Sequence, residues 1–213
     1  DTVIRTWTAT DACGNITTAI QVVTVTDTKN PTLAGIPADE TVECDAIPAP
    51  PSPTANDNCD NDVDIEFKEI STQTTDGSCT DNSYTLTRIW KATDNCGNVD
   101  IQQQVITVED TTPPTITGVP VDENVECDAV PAPATPTATD NCDTDVEILF
   151  NEVITAGTCT DSYTITRTWT ATDNCDNTDI EVQVITVQDT TDPILSGVPS
   201  DEIVECSDVP APA

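Results

Sequence analysis

SYTITRTWTATDNCDN, residues 162–177, decides the fold. Its side chains alternate: Tyr163, Ile165, Arg167, Trp169 and Ala171 fall on one face, with threonines on the other. A period of two sustained in this way describes a half-buried antiparallel β-strand, because successive Cβ atoms of an extended chain point to opposite faces. The strand then runs into an Asp-Asn-Cys turn. The same register earlier in the chain gives Tyr84, Leu86, Arg88, Trp90 and Ala92. VEILFNEVI (146–154) and TDIEVQVITVQ (178–188) read as further strands, rich in β-branched residues. The tryptophan is read as the core plug of a sandwich. Arg167, on the same inward face, is expected to stack on a ring or leave through the sheet edge.

The phrase belongs to a repeat. RTWTATDACGN occurs at 5–15, RIWKATDNCGN at 88–98 and RTWTATDNCDN at 167–177. A second phrase recurs with it: GIPADETVECD at 35–45, GVPVDENVECD at 118–128 and GVPSDEIVECS at 197–207. Trp7, Trp90 and Trp169 lie 83 and 79 residues apart, and the step from Cys13 to Cys44, Cys96 to Cys127 and Cys175 to Cys206 is 31 residues each time. A period near 80 suits beads on a string better than a solenoid. The expected architecture is all-β: tandem immunoglobulin-like β-sandwich repeats of about 80 residues, stapled by disulfides. The division is residues 1–27 as the C-terminal part of a first repeat, 28–109 and 110–188 as complete repeats, and 189–213 as the opening of another. The chain is therefore expected to be part of something longer.

Composition narrows the function. Thirty-nine acidic against six basic side chains give a net charge of −33, which repels nucleic acid and anionic lipid. Ten regularly spaced cysteines without a histidine indicate disulfides and an oxidising, extracellular or cell-surface location. No stretch of 18 apolar residues suggests membrane insertion in this segment. The missing histidine removes every histidine-based catalytic triad, and no nucleophile elbow or phosphate loop occurs, so no enzyme is expected.

The run DTTPPTITGVPVDENVECD, with PTATDNCD and SYTITRTWTATDNCDN after it, resembles the HYR-like repeats of giant surface adhesins of gliding Bacteroidetes. The resemblance covers both complete units and the two partial ones. It implies immunoglobulin-like extracellular modules and an adhesion setting. Four cysteines per unit exceed a typical HYR module, so no pairing carries over from the family.

Strand direction supplies a pairing instead. If the strand ending at Cys127 runs down and PAPATPTATDNC returns up, Cys127 and Cys159 share one end, with Cys142 and Cys175 at the other. Bonds between opposite ends would exceed the ~7 Å Cα limit. The expectation is Cys127–Cys159 and Cys142–Cys175, and likewise Cys44–Cys79 and Cys59–Cys96.

Oxygen ligands crowd the turns and linkers. Asp57, Asp60, Asp62, Asp94 and Asp100 belong to one copy; Asp140, Asp143, Asp145, Asp173, Asp176 and Asp179 belong to the next. The linker VEDTTPP adds Glu109 and Asp110. Such carboxylates repel one another, and calcium, a hard ion taking six to eight oxygens, relieves that repulsion. Thr111 and Thr190, in Asp-Thr-Thr phrases, are candidate glycosylation sites. The function expected is a structural segment of a long adhesin or surface filament, a stalk stiffened by disulfides and calcium. Its partners would be neighbouring repeats of the same chain. The alternatives are a calcium-dependent module for surface polysaccharide, or a matrix fibre built from like filaments.

Overall fold

A computed structural model describes residues 1–207. The described chain divides into two compact units. The first comprises Asp1–Pro114 together with Thr139–Val146 and Thr172–Thr178; the second comprises Thr115–Ala138, Glu147–Ala171 and the residues from Asp179 onward. Two acidic turns from the second sequence repeat are thus integral to the first unit.

In the first unit, β1 (Thr2–Thr10) and β2 (Ile16–Thr24) form an antiparallel hairpin registered from Thr2↔Thr24 to Thr10↔Ile16. There follow β3 (Thr32–Ala34), β4 (Glu40–Glu43), β5 (Thr54–Asn56), β6 (Asp64–Ser71), a 3-10 turn at Cys79–Asp81, β7 (Tyr84–Thr93) and β8 (Val99–Glu109). The main sheet has the order β4-β8-β7-β6, with β4 parallel to β8 and the other pairs antiparallel. A two-stranded sheet, β3-β5, faces it. Leu33 and the partly buried Ala55 from the small sheet pack on Trp90 and Ala92 of the large one, which makes the unit a β-sandwich.

The second unit repeats this plan. Its elements are β9 (Thr115–Thr117), β10 (Glu123–Glu126), β11 (Thr137–Thr139), β12 (Glu147–Ala156), β13 (Tyr163–Thr172) and β14 (Thr178–Gln188). The sheets are β10-β14-β13-β12 and β11-β9, and β10 again lies parallel to β14. The alternation read from the sequence is present: Ile165, Arg167, Trp169 and Ala171 are all buried. Trp90 and Trp169 are each 1% exposed and stack at a tilt on Phe67 and Phe150, with ring centroids 5.3 Å apart in both copies. One fully enclosed ring per sandwich is a small core for some 75 residues, so covalent staples matter to its stability.

Two local expectations need correcting. Arg167 neither stacks on a ring nor leaves the core. Its Nε pairs with Glu152 Oε2 at 2.8 Å and its second terminal nitrogen donates to the Pro131 carbonyl at 2.7 Å, because a buried guanidinium needs a charge partner and filled donors. Arg88 makes the same two contacts with Glu69 and Pro48, its other terminal nitrogen being left without a partner. The returning strand drawn through PAPATPTATDNC is reduced to β11, since Pro131, Pro133 and Pro136 cannot donate to a ladder.

Candidate functional site

The Asp-Asn-Cys phrase builds a turn in which the aspartate caps the following amides. Asp173 Oδ1 accepts from Cys175 N and Asn177 N, and its Oδ2 accepts from Asn177 Nδ2. Asp140 Oδ1 accepts from Cys142 N and Asp143 N. Short polar side chains favour such turns because they supply the acceptors the backbone would otherwise lack. Asp143 Oδ2 in turn accepts from Asn174 N at 2.9 Å, tying the two turns together. Cys142 and Cys175 are thereby presented side by side.

Within the first unit both are bonded to cysteines of the preceding repeat. Cys44, just after β4, joins Cys142 with Cα atoms 5.9 Å apart; Cys79, opening the 3-10 turn, joins Cys175 at 4.5 Å. The pairing expected inside each repeat is therefore corrected. Cys44 and Cys79 are not bonded to each other, nor are Cys142 and Cys175. Cys59, Cys96, Cys127 and Cys159 are exposed free thiols, so Cys59–Cys96 and Cys127–Cys159 are not formed. The error was to treat one repeat as closed, when the Cα limit is met across its boundary.

Beside these bonds lies a carboxylate cluster. Oxygens of Asp110, Asp140 and Asp173 all lie within 4.8 Å of one another, and Glu43 and Asp110 converge similarly with the sulfur of Cys142. Asp110 is 5% exposed, yet neither of its side-chain oxygens has a well-formed hydrogen bond, the nearby Thr112 amide polarising it only weakly; the buried Asp140 Oδ2 has no partner either. Burial, then the charges of Asp140 and Asp173, pushes the Asp110 carboxyl up to about 6. Three buried oxygens without well-formed hydrogen bonds, among like charges, fit a hard divalent cation with oxygen ligands. The disulfide removes Cys142 as a thiolate ligand, which leaves an all-oxygen set. A related group sits at the preceding boundary, where Asp27 and Asp57 converge beside Cys59 and Asp57 Oδ1 is buried without a partner.

Most of the acids expected to bind calcium lie outside this cluster, although several of them accept turn amides just as Asp173 does. Asp60 accepts from Asp62 N and Asn95 N, and Asp94 from Cys96 N and from Asn98 through both its backbone and side chain. Asp143 accepts from Asp145 N and Asn174 N. Asp100 accepts from Leu33 N, and Asp179, in the second unit, from Ile116 N. Asp62, Glu109, Asp145 and Asp176 are exposed. Of the expected set, the structure brings together Asp110, Asp140 and Asp173. The reading missed Asp27 and Glu43. The first is the aspartate of VTDTKNP, in register with VEDTTPP; the second is the glutamate of every VEC phrase.

Thr111 and Thr190 are exposed, and their hydroxyls donate to Glu43 and Glu126 respectively. No helix among the described residues is long and apolar enough to cross a membrane.

Comparison places the chain among known proteins. Solved structures similar to it include Drosophila N-cadherin EC1-4 (12% identity, TM-score 0.33, 76% of this chain and 50% of that one). Mouse clustered PcdhgC3 EC1-3 (16%, 0.31, 88% and 77%) and the human Desmocollin-1 ectodomain (13%, 0.28, 95% and 50%) also match. The chain spans about half the length of the first of these. No curated protein matches it significantly. A family profile for the HYR-like domain with 4 cysteines matches residues 32–108 and 115–187. The chain belongs to that family, in two tandem repeats.

Proposed function

We propose that this chain is a non-catalytic, extracellular adhesion-type segment, a stalk whose repeat boundary is stapled by two disulfides and a bound calcium ion. The observation that carries the reading is the pair of disulfides crossing from residues 28–109 to residues 110–188, which we take as the complete repeats. Bonds of this kind resist tension along a chain, and they persist only where the surroundings are oxidising. Calcium is supported by the buried oxygens of Asp110 and Asp140, which lack well-formed hydrogen bonds, beside Asp173. Asp110, Asp140 and Asp173 would hold the ion, with Glu43 at the edge of the cluster. The net charge of −33 favours cations over any anionic partner. Glycosylation at Thr111 and Thr190 belongs to the same extracellular reading, and an intact mass above that of the polypeptide would support it.

Single-molecule pulling tests the stalk. With the disulfides intact, the 98-residue step from Cys44 to Cys142 is bypassed, which withholds roughly 340 Å of extension at about 3.5 Å per residue. Reductant should release that length. Equal extension before and after reduction would remove the reading.

A further inference from the structure

We infer that the two cross-boundary disulfides are one step of a ladder: Cys59 and Cys96 are the receiving pair, and Cys127 and Cys159 the offering pair, for identical bonds to further repeats of this four-cysteine class. The formed junction supplies the template. There, the offering cysteines are Cys44 and Cys79, and the receiving ones Cys142 and Cys175.

The receiving surface exists twice. Asp57 caps Cys59 N as Asp140 caps Cys142 N, and Asp94 caps Cys96 N as Asp173 caps Cys175 N. Asp60 Oδ2 accepts from Asn95 N at 2.9 Å, the same distance as Asp143 Oδ2 to Asn174 N. Cys59 and Cys96 line one open depression with Asp60 and Asn95 and are nonetheless not bonded to each other. The offering surface also exists twice. Cys127 follows β10, whose Glu126 pairs with Gln188, as Cys44 follows β4, whose Glu43 pairs with Glu109. Glu126 takes Thr190 N as Glu43 takes Thr111 N. Cys159 sits in a turn where its carbonyl accepts from Ser162 N, as the Cys79 carbonyl accepts from Ser83 N.

Each bond needs an oxidant. A small-molecule disulfide such as oxidised glutathione serves: one thiolate attacks it and expels a glutathione thiolate. The second thiolate then displaces the other, so two thiols lose two electrons and two protons while the reagent becomes two thiols.

The inference rests on the stalk reading only for its oxidising surroundings. The test duplicates residues 110–188 directly after Gln188 in the full chain and equilibrates both chains in a glutathione redox buffer with the reduced form in excess, so that unpaired cysteines return to thiols. Six thiols should remain titratable in the original chain. Six should also remain in the longer one, because its four added cysteines are matched by two new bonds. Serines at the added copy's equivalents of Cys142 and Cys175 should raise that count by two, with unchanged far-UV circular dichroism. Four extra thiols in the longer chain, or Cys59–Cys96 and Cys127–Cys159 bonds in either, would overturn the ladder while leaving calcium binding to be judged by its own titration.

Discussion

Cys79 and Cys175 lie 96 positions apart in sequence, and their Cα atoms are 4.5 Å apart in space. The first opens a 3-10 turn beneath β7, and the second sits in a turn capped by Asp173. A loop of this size removes much of the unfolded chain's freedom.

Replacing Cys79 and Cys175 together by serine should therefore destabilise the chain by about 3–5 kcal/mol on the chain-entropy estimate. The Cys44–Cys142 pair closes a loop of similar length, but while Cys79–Cys175 is intact the path between its ends is already shortened, so removing it first should cost less than removing it second. Urea unfolding followed by circular dichroism measures both; a change below about 1 kcal/mol for the double replacement would contradict the loop-closure account.

Asp110 makes a pH signature. Its carboxyl is raised in the folded state to about 6 from an ordinary value of 3.8, so the folded chain holds that proton more tightly than the unfolded one. The stability it contributes is complete below about pH 3.8 and is lost as pH rises through about 6. Asp94, whose hydrogen bonds to Asn98 lower its carboxyl, acts at still lower pH and in the opposite sense. In EDTA the melting temperature should fall between pH 4 and 6.5, and saturating calcium should flatten that fall.

Asp110→Asn separates repulsion from ligation. Without calcium it removes one buried charge facing Asp140 and Asp173, so the melting temperature in EDTA should rise by a few degrees. With calcium the variant should gain no further stability, and calorimetric titration should show binding weakened at least tenfold. Wild-type calcium affinity in the variant would exclude Asp110 as a ligand.

Asp176 occupies a position that Gly14 and Gly97 fill in the earlier copies. Its φ of 67° is left-handed, as are theirs at 85° and 88°. Asp176→Gly should relieve that strain and stabilise the turn by about 0.5–1 kcal/mol, without altering calcium binding. Thermal scans of the pair decide it.

How much of this was legible follows from range. β13 and β14 could be read residue by residue because alternation is a local property of the backbone. The ends at which cysteines gather followed from strand direction. Their partners did not, because Cys142 and Cys175 are as eligible for Cys44 and Cys79 as for each other until the turns are placed. The acids were harder. Asp60, Asp94, Asp110 and Asp140 look alike in sequence, and what separates them is which oxygens a turn amide has already taken. Asp110 differs in following β8 rather than opening an Asx turn, and its oxygens are left without well-formed hydrogen bonds.

The parallel course of the two cystines also alters what a protease can do. Between Glu109 and Thr115 the polypeptide crosses from one sequence repeat to the next as a single strand, an obvious place to be cut. Yet Cys44–Cys142 and Cys79–Cys175 both span that point. Three covalent routes cross the boundary, and hydrolysis of the peptide route leaves two. A nicked molecule would run as fragments only after reduction; until then it would remain one piece.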